Sequence, residues 1–428
     1  MLYFIKYNIK ELVMARTLTK ETLLGNSAFT SSVTKLYRAD LKAVCERYSS
    51  LTDNLTGKIR FFSSPGRAEL VGNHTDHNHG LVIAGSIDLD VACAVVQTDD
   101  NVITVESEGY APFSIDVNDL PIDEKLFGST LALVRGVCKG FIDRGYKVGG
   151  FTVRASSNIF KGAGVSSSAA FELLVCEILN VLYNDGKIGF TEKAIIGRYA
   201  ENVYFGKPSG LMDQLTISRG GVSFMNFGTE IPSSESADWK FDDLSLVIIN
   251  CGGDHCNLTD EYASIRTEME SVAAFFGEKV LGEVDENLFF SSLKSLKEKF
   301  SGRAVLRAIH FFEENRRVKS AEKAVYEKNK SAFLRTITES GVSSYELLQN
   351  CYPSGDTLQP VPLALAIVAR NPSTLACRVH GGGFAGTILS FVDTEKSDSY
   401  VNEMSEYFGK ENVFCVRIRN YGATEVAL

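Results

Sequence analysis

Residues 66–80, GRAELVGNHTDHNHG, place an arginine, an aspartate and three histidines in one segment bounded by glycines. Three chemistries suit those residue types: a metal site, a charged surface loop, or a turn closing polar groups around a small polar molecule. His74, His77 and His79, like Cys251, His255 and Cys256 in INCGGDHCN, lack the four-ligand spacing of a tetrahedral zinc site. The small-molecule turn is the reading carried forward.

A second segment, GAGVSSSAA from residue 162 to 170, stands at the mouth of a helix. Free N–H groups at a helix N-terminus, joined to those of a glycine turn, form a cradle for anionic oxygens, and the helix dipole adds to it. The segment has neither the GxxxxGK[ST] pattern nor GxGxxG spacing; the bland alternative is an ordinary cap behind a flexible turn. Its serine hydroxyls could also reach a magnesium ion. In AENVYFGKPSGLMDQLTISRGG the helix bearing Glu201 must stop near Gly206, because Pro208 and Gly210 break it, and Asp213 emerges from a tight turn. Such an aspartate can point into a cleft or simply cap the next helix, and Glu201 alone would read as a solvated helix residue. In HGGGFAGTILSFV, three glycines after His380 let a turn approach another backbone or a ligand closely.

The elements that must hold these segments can be read from periodicity. Helical spacing runs from Ser32 to Ser50, KIRFFSSPG reads as a short strand ended by a Pro-Gly turn, and LVIAGSIDLDVACAVVQTDD and NVITVESEG read as paired strands. STLALVRGVCKGFIDRG predicts an amphipathic helix ending at Gly145, and GGFTVRASS a strand. Ala170, Leu173, Leu174, Ile178, Val181 and Leu182 predict a buried helix behind the serine loop. The polar stretch EIPSSESADWKFDD reads as an approach to a second domain, where SLVIINC opens a new sheet. Helices near 257–275, 303–328 and 331–340 and late strands at TLACRVHG, GTILSFV and VFCVRIR predict an α+β domain with helices on one face of a largely antiparallel sheet.

The 428 residues suffice for two or three domains, with 44% hydrophobic and 23% charged residues, as in a soluble globular chain. A net charge of -9 disfavours nucleic acid and anionic membrane surfaces as partners and favours small-molecule chemistry. Nine scattered cysteines fit reduced thiols and a cytoplasmic setting. Lys6, Lys10 and Glu11 interrupt the opening apolar stretch, which reads as a non-catalytic extension with Met14 an alternative start.

Taken together and in order, these segments resemble the galactokinase family of the GHMP kinase superfamily. That family's signature GEHTDYNxG is similar to GNHTDHNHG here, GxGLSSSA to GAGVSSSA, GxPCGIMDQ to GKPSGLMDQ, GGGFGG to GGGFAG, and EYxxRR to EYASIR at 261–266. The resemblance spans roughly residues 35–428. It implies a two-domain α+β fold: an extension at 1–35, a ribosomal-S5-like N-terminal domain at 36–235 and a ferredoxin-like C-terminal domain at 236–428. It also implies ATP and magnesium meeting a sugar in the cleft between domains, with oligomeric state left open and a monomer compatible.

By that resemblance, Asp213 would stand beside the anomeric hydroxyl as general base or electrostatic partner, and Arg67 would stabilise the transferring phosphoryl group. Gly162, Ala163, Gly164, Val165, Ser166, Ser167 and Ser168 would wrap the ATP phosphates, Ser168 and Glu201 would hold magnesium, and Asn73, His74, Thr75, Asp76, Gly210 and Tyr262 would contact the sugar. The chain departs from the family at Asn73, where galactokinases carry a glutamate facing the sugar's 6-hydroxyl, at His77 in place of tyrosine, and at Phe160 in place of proline. An amide at 73 removes a negative charge from where a uronic acid carries its own, and His77 points the same way, while Thr75 is of galactokinase type. Galactose is therefore the expected substrate, with galacturonate or another 6-modified or epimeric sugar the alternative. A non-catalytic sugar sensor is a second alternative, against which the retained Arg67, Asp213, Ser168 and Glu201 stand. Kinases acting on mevalonate or homoserine share the phosphate loop but lack HTD after GxGN.

Overall fold

The computed structural model describes residues 18–159, 164–207, 209–229, 231–252, 258–384 and 386–428. Phe160, Gly162, Ala163, Pro208, His255 and Cys256, named above, lie outside them. In chain order the first half holds α1 (Lys20–Gly25), α2 (Ser27–Leu36), α3 (Leu41–Ser50), β1 (Ile59–Val71), β2 (Leu81–Gln97), β3 (Val102–Ser107), β4 (Phe113–Asp116), α4 (Thr130–Asp143), β5 (Phe151–Ser157), α5 (Ser167–Tyr183), α6 (Phe190–Tyr199), α7 (Met212–Arg219), β6 (Val222–Asn226) and β7 (Ser233–Ala237). The second holds β8 (Leu244–Asn250), α8 (Thr259–Phe275), α9 (Glu286–Ser291), α10 (Leu293–Lys299), α11 (Gly302–Tyr326), α12 (Lys330–Ser343), α13 (Pro360–Val368), β9 (Ala376–Val379), β10 (Thr387–Asp393), α14 (Ser397–Phe408), β11 (Val413–Val416) and β12 (Thr424–Val426).

The first sheet runs β12-β1-β2-β5-β3-β4, and β6 with β7 joins the other end of the long β2. β1 does not stop at Pro65 and Gly66 as expected; it continues to Val71 across a register shift between Pro65 and Arg67. Proline cannot donate to the ladder, so it falls at an irregularity, and the residues beyond it swing onto a new register. That shift carries Arg67 and Glu69 into the interior. β2 and β3, expected to pair, are separated by β5, which lies parallel to β3. The helix expected from Ser32 to Ser50 is two helices: Tyr37 is extended, and the Asp40 side chain accepts from Lys42 N–H to cap α3. Part of the polar stretch before the second sheet forms β7, paired with β6.

The second sheet, β11-β8-β10-β9, is wholly antiparallel. Both of its faces are covered, not one. Leu246 and Ile248 of β8 share a core with Phe333 and Ile337 of α12, while Val247 and Ile249 share another with Val361 of α13 and Tyr400 and Met404 of α14. This is why residues 246–249, LVII, form an unbroken apolar run instead of alternating.

Two features tie the halves together and fix the site. α5 buries Leu173, Leu174, Ile178 and Leu179 completely, each worth ~1.5–3 kcal/mol, so its N-terminus is held rigidly. The chain end returns to the first sheet: Arg419 N–H donates to Ser86 O, and β12 pairs with β1. α1 and α2 bury Leu23, Phe29 and Val33 in one core with Tyr48, Phe61 and Val426. Among the described residues no helix is long and apolar enough to cross a membrane.

Candidate active site

The turn after β1 is built by its own side chains. Gly72 takes φ +106°, where a Cβ would lie 2.5 Å from Leu81 O, so only glycine fits. Thr75 Oγ1 lies 2.9 Å from Gly72 O and 2.7 Å from Leu81 O, closing the turn, and a 3-10 turn at Asp76–Asn78 follows. Asp76 accepts from His77 Nδ1 at 3.0 Å and abuts Gly210, where a Cβ would come within 2.3 Å of Oδ2. The sugar-type turn and the GKPSGLMDQ segment are thus in contact at Asp76 and Gly210.

The glycine loop after β9 is docked through three consecutive carbonyls. Gly381 O accepts from Asn73 Nδ2 at 2.8 Å, Gly382 O from His74 Nε2 at 2.8 Å, and Gly383 O from Tyr262 OH at 2.9 Å. His380 Nε2 accepts from Glu69 N–H at 3.2 Å, so its proton lies on Nδ1, 3.2 Å from Thr387 Oγ1. Burial, with Arg67 and Arg378 nearby, holds that ring well below its usual pKa and therefore neutral.

At the mouth of α5, Ser166 sits at φ +61° and its hydroxyl does not cap the helix. A non-glycine residue in this region costs about 1 kcal/mol or more, the kind of strain found at ligand clamps. The hydroxyl donates instead to Asp213 Oδ2. Asp213, in the first turn of α7 but not its cap, accepts from Arg67 Nε at 2.7 Å and Nη2 at 3.0 Å, a bidentate pair. Arg67 is 6% exposed and also donates to Gly164 O; the Asp213 side chain is 26% exposed. The serine loop and Asp213 are therefore in direct contact. Gly164 lies under the glycine loop, where a Cβ would approach Thr387 Oγ1 to 2.9 Å.

Glu201 follows α6 in a π turn, Ala200–Tyr204, a distortion common at functional sites. Its Oε1 accepts from Ser168 Oγ and Lys207 Nζ, both at 3.1 Å, and its Oε2 from Gln214 Nε2 at 2.8 Å. Behind it, burial and then the charge of Glu201 push Glu172 well above the carboxylate range.

Of the residues singled out from sequence, Arg67, Gly164, Ser166 and Asp213 converge at one point, Ser168 and Glu201 beside it, and His74, Asp76, Gly210 and Tyr262 around the facing turn. Asn73 and Thr75 are 0% exposed. The Asn73 amide donates to Glu69 Oε1 and Gly381 O, both at 2.8 Å, and accepts from Asn350 Nδ2 at 2.8 Å and Ser344 Oγ at 3.3 Å. Position 73, expected beside the sugar's 6-position, is thus joined to Glu69, Ser344, Asn350 and Gly381 across the two halves.

Comparison with known proteins identifies the group. Residues 49–97 match the galactokinase galactose-binding signature, and residues 132–221 the GHMP kinase N-terminal domain. A galactokinase of Clostridium tetani is 30% identical over 365 residues, covering 83% of this chain and 89% of the relative. The chain belongs to the galactokinase family. A galactokinase of Clostridium perfringens is 28% identical over 380 residues, 85% of this chain and 95% of its own. The fold is that of the GHMP kinases: Lactococcus lactis galactokinase, crystallised with galactose, superposes with TM-score 0.75 at 22% identity over 90% of this chain and 99% of that one. Methanococcus jannaschii mevalonate kinase gives 0.61 at 18%, over 85% and 99%.

Several residues of this galactokinase-family site were missed in the sequence. Lys207, Gln214 and Glu172 surround Glu201, Glu69 and Asn350 hold Asn73, and Arg378 holds Glu69. Lys207 lies inside a motif already quoted and could have been found there. Glu69 sits in a stretch that reads as apolar, and only its partner Arg378, 309 positions away, explains it.

Proposed function

We propose that this galactokinase-family chain transfers the terminal phosphoryl group of ATP to the anomeric hydroxyl of galactose, giving galactose 1-phosphate and ADP. The observation that carries the reading is the Arg67–Asp213 pair, held at 2.7 and 3.0 Å against the serine loop with the Asp213 side chain partly exposed. Asp213 already accepts one hydroxyl, that of Ser166, on Oδ2. Asp213 would meet a sugar hydroxyl offered to the same carboxylate as general base or electrostatic partner, while Arg67 neutralises charge gathering on the phosphoryl oxygens. Phosphoryl transfer demands mostly positioning and charge neutralisation, and these groups supply both.

The phosphates would lie at the N-terminus of α5, along residues 162–168, where the hydroxyl of Ser166 leaves the first-turn amides uncapped. Ser168 and Glu201 suit a magnesium ion, being adjacent hard oxygens 3.1 Å apart; Lys207, on the same carboxylate oxygen but 58% exposed, is free to withdraw. Ser168 and Glu201 would hold such an ion, whose chemistry there would be charge neutralisation. On the sugar side we assign direct contact to Asp76 and His74, with Gly210 and Tyr262 lining the site, while Asn73 and Thr75 hold the turn. A coupled ADP-release assay across galactose, galacturonate, N-acetylgalactosamine, arabinose and glucose tests the reading; galactose should turn over best, and preference for galacturonate would overturn the choice of sugar.

A further inference from the structure

Two histidine rings bridge the sugar turn to the glycine loop in a continuous line. Asp76 Oδ1 lies 3.0 Å from His77 Nδ1, His77 Nε2 lies 3.2 Å from His74 Nδ1, and His74 Nε2 lies 2.8 Å from Gly382 O. Both ends of the line, a carboxylate and a peptide carbonyl, only accept hydrogen bonds. Three links therefore need three protons. Two neutral imidazoles carry two, so with both rings neutral one link must break: either His74 turns a lone pair on the carbonyl, or the rings face each other without a proton, or Asp76 loses its donor. The intact line holds one proton beyond what neutral rings supply.

We propose that His77 is a positioning residue for sugar binding, an imidazolium that fixes the Asp76 carboxylate and, through His74, fastens the sugar turn to Gly382, so that galactose affinity falls when His77 loses its proton. This rests on the reading of Asp76 and His74 as sugar contacts. Placement of the extra proton follows from the surroundings. Burial, then the neighbouring His77, hold His74 down to about 3, so His74 is the neutral member. Burial opposes charge on His77 as well, but Asp76 outweighs it and raises that ring above its ordinary value. The other charged groups facing His77 are Arg266 of α8, which opposes the proton, and Glu69 of β1, which favours it. Asp76 is held down to about 2, where burial is overcome by His77, so the acid does not keep the proton itself.

His77→Tyr and the unaltered chain, compared in two experiments, decide the matter. In proton NMR titration, the imidazole resonance that disappears in the variant should titrate above ~6.5 in the unaltered protein; titration at or below that value would overturn the inference. In steady-state kinetics from pH 6 to 9, galactose KM should rise by up to about tenfold per pH unit beyond the His77 transition, as one-proton linkage requires, with kcat within about twofold. The variant should lose this alkaline limb in KM while keeping kcat. A limb that persists in the variant, or one that appears in kcat instead, would contradict a positioning role for His77. Absence of any galactose turnover would instead remove the kinase reading, and the NMR titration would still decide where the proton lies.

Discussion

Asn73 Nδ2 donates to the buried carboxylate of Glu69 at 2.8 Å, so the amide expected to face the substrate satisfies an acceptor in the interior. Burial pushes Glu69 up although Arg378 opposes it, and Glu314 Oε1 already faces the backbone N–H of residues 72 and 73. Arg378 already pairs with Glu69, and Arg317 with Glu314. Asn73→Glu should therefore lower folding stability by about 3–5 kcal/mol, the usual result of an uncompensated buried charge, as measured by urea unfolding. An unchanged midpoint with a changed galactose-to-galacturonate ratio would restore position 73 to the sugar site.

Gly210→Ala should leave the fold intact, because the residue is exposed and lies in no helix or strand. The new methyl would meet Asp76 Oδ2 at 2.3 Å and displace it. Misplacing a sugar-binding carboxylate should raise galactose KM by roughly tenfold or more while ATP KM stays level. Equal effects on both constants would show that Asp76 is not a sugar contact.

Asp90 is 0% exposed and accepts from Arg47 Nη1 at 2.6 Å, with Arg419 Nη1 at 3.5 Å. Burial raises its pKa, but Arg47 and Arg419 outweigh burial and set it below the ordinary value. Because the folded pKa is depressed, its stabilisation is complete above the unfolded value of ~3.9 and disappears as pH falls through the folded one. Asp90→Asn should cost about 3–5 kcal/mol at pH 5 to 8, a gap that narrows below about pH 4 in denaturant titrations.

Arg67→Lys tests the planar fork. Lysine keeps the charge but cannot pair with both oxygens of Asp213, so kcat should fall by roughly 10²–10³-fold with a small change in galactose KM.

How far the sequence disclosed this arrangement depended on distance along the chain. The helix start behind the serine run and the turn bounded by Gly66 and Gly80 were legible because turn chemistry and helix starts are written in neighbouring residues. β1 was misread because Pro65 and Gly66 look like a stop, whereas in a central strand they mark a register shift. Covering of the second sheet on both faces was misjudged because the helices that cover it come from both sides of β9 and β10 in sequence. The partners of Asn73, at 69, 344, 350 and 381, were not legible because they belong to four separate segments.

The central claim is that Asp213, paired with Arg67, engages the anomeric hydroxyl as general base or electrostatic partner. Phosphorus NMR of the product from ATP and galactose, run in parallel with calorimetric galactose binding, tests it in the unaltered chain and in Asp213→Asn. The unaltered chain should give one new phosphate coupled to the anomeric proton, and the variant should bind galactose within a few-fold yet form that product about 10²–10⁴-fold more slowly. Product formation by Asp213→Asn at an undiminished rate, or phosphate on any other hydroxyl, would contradict the account.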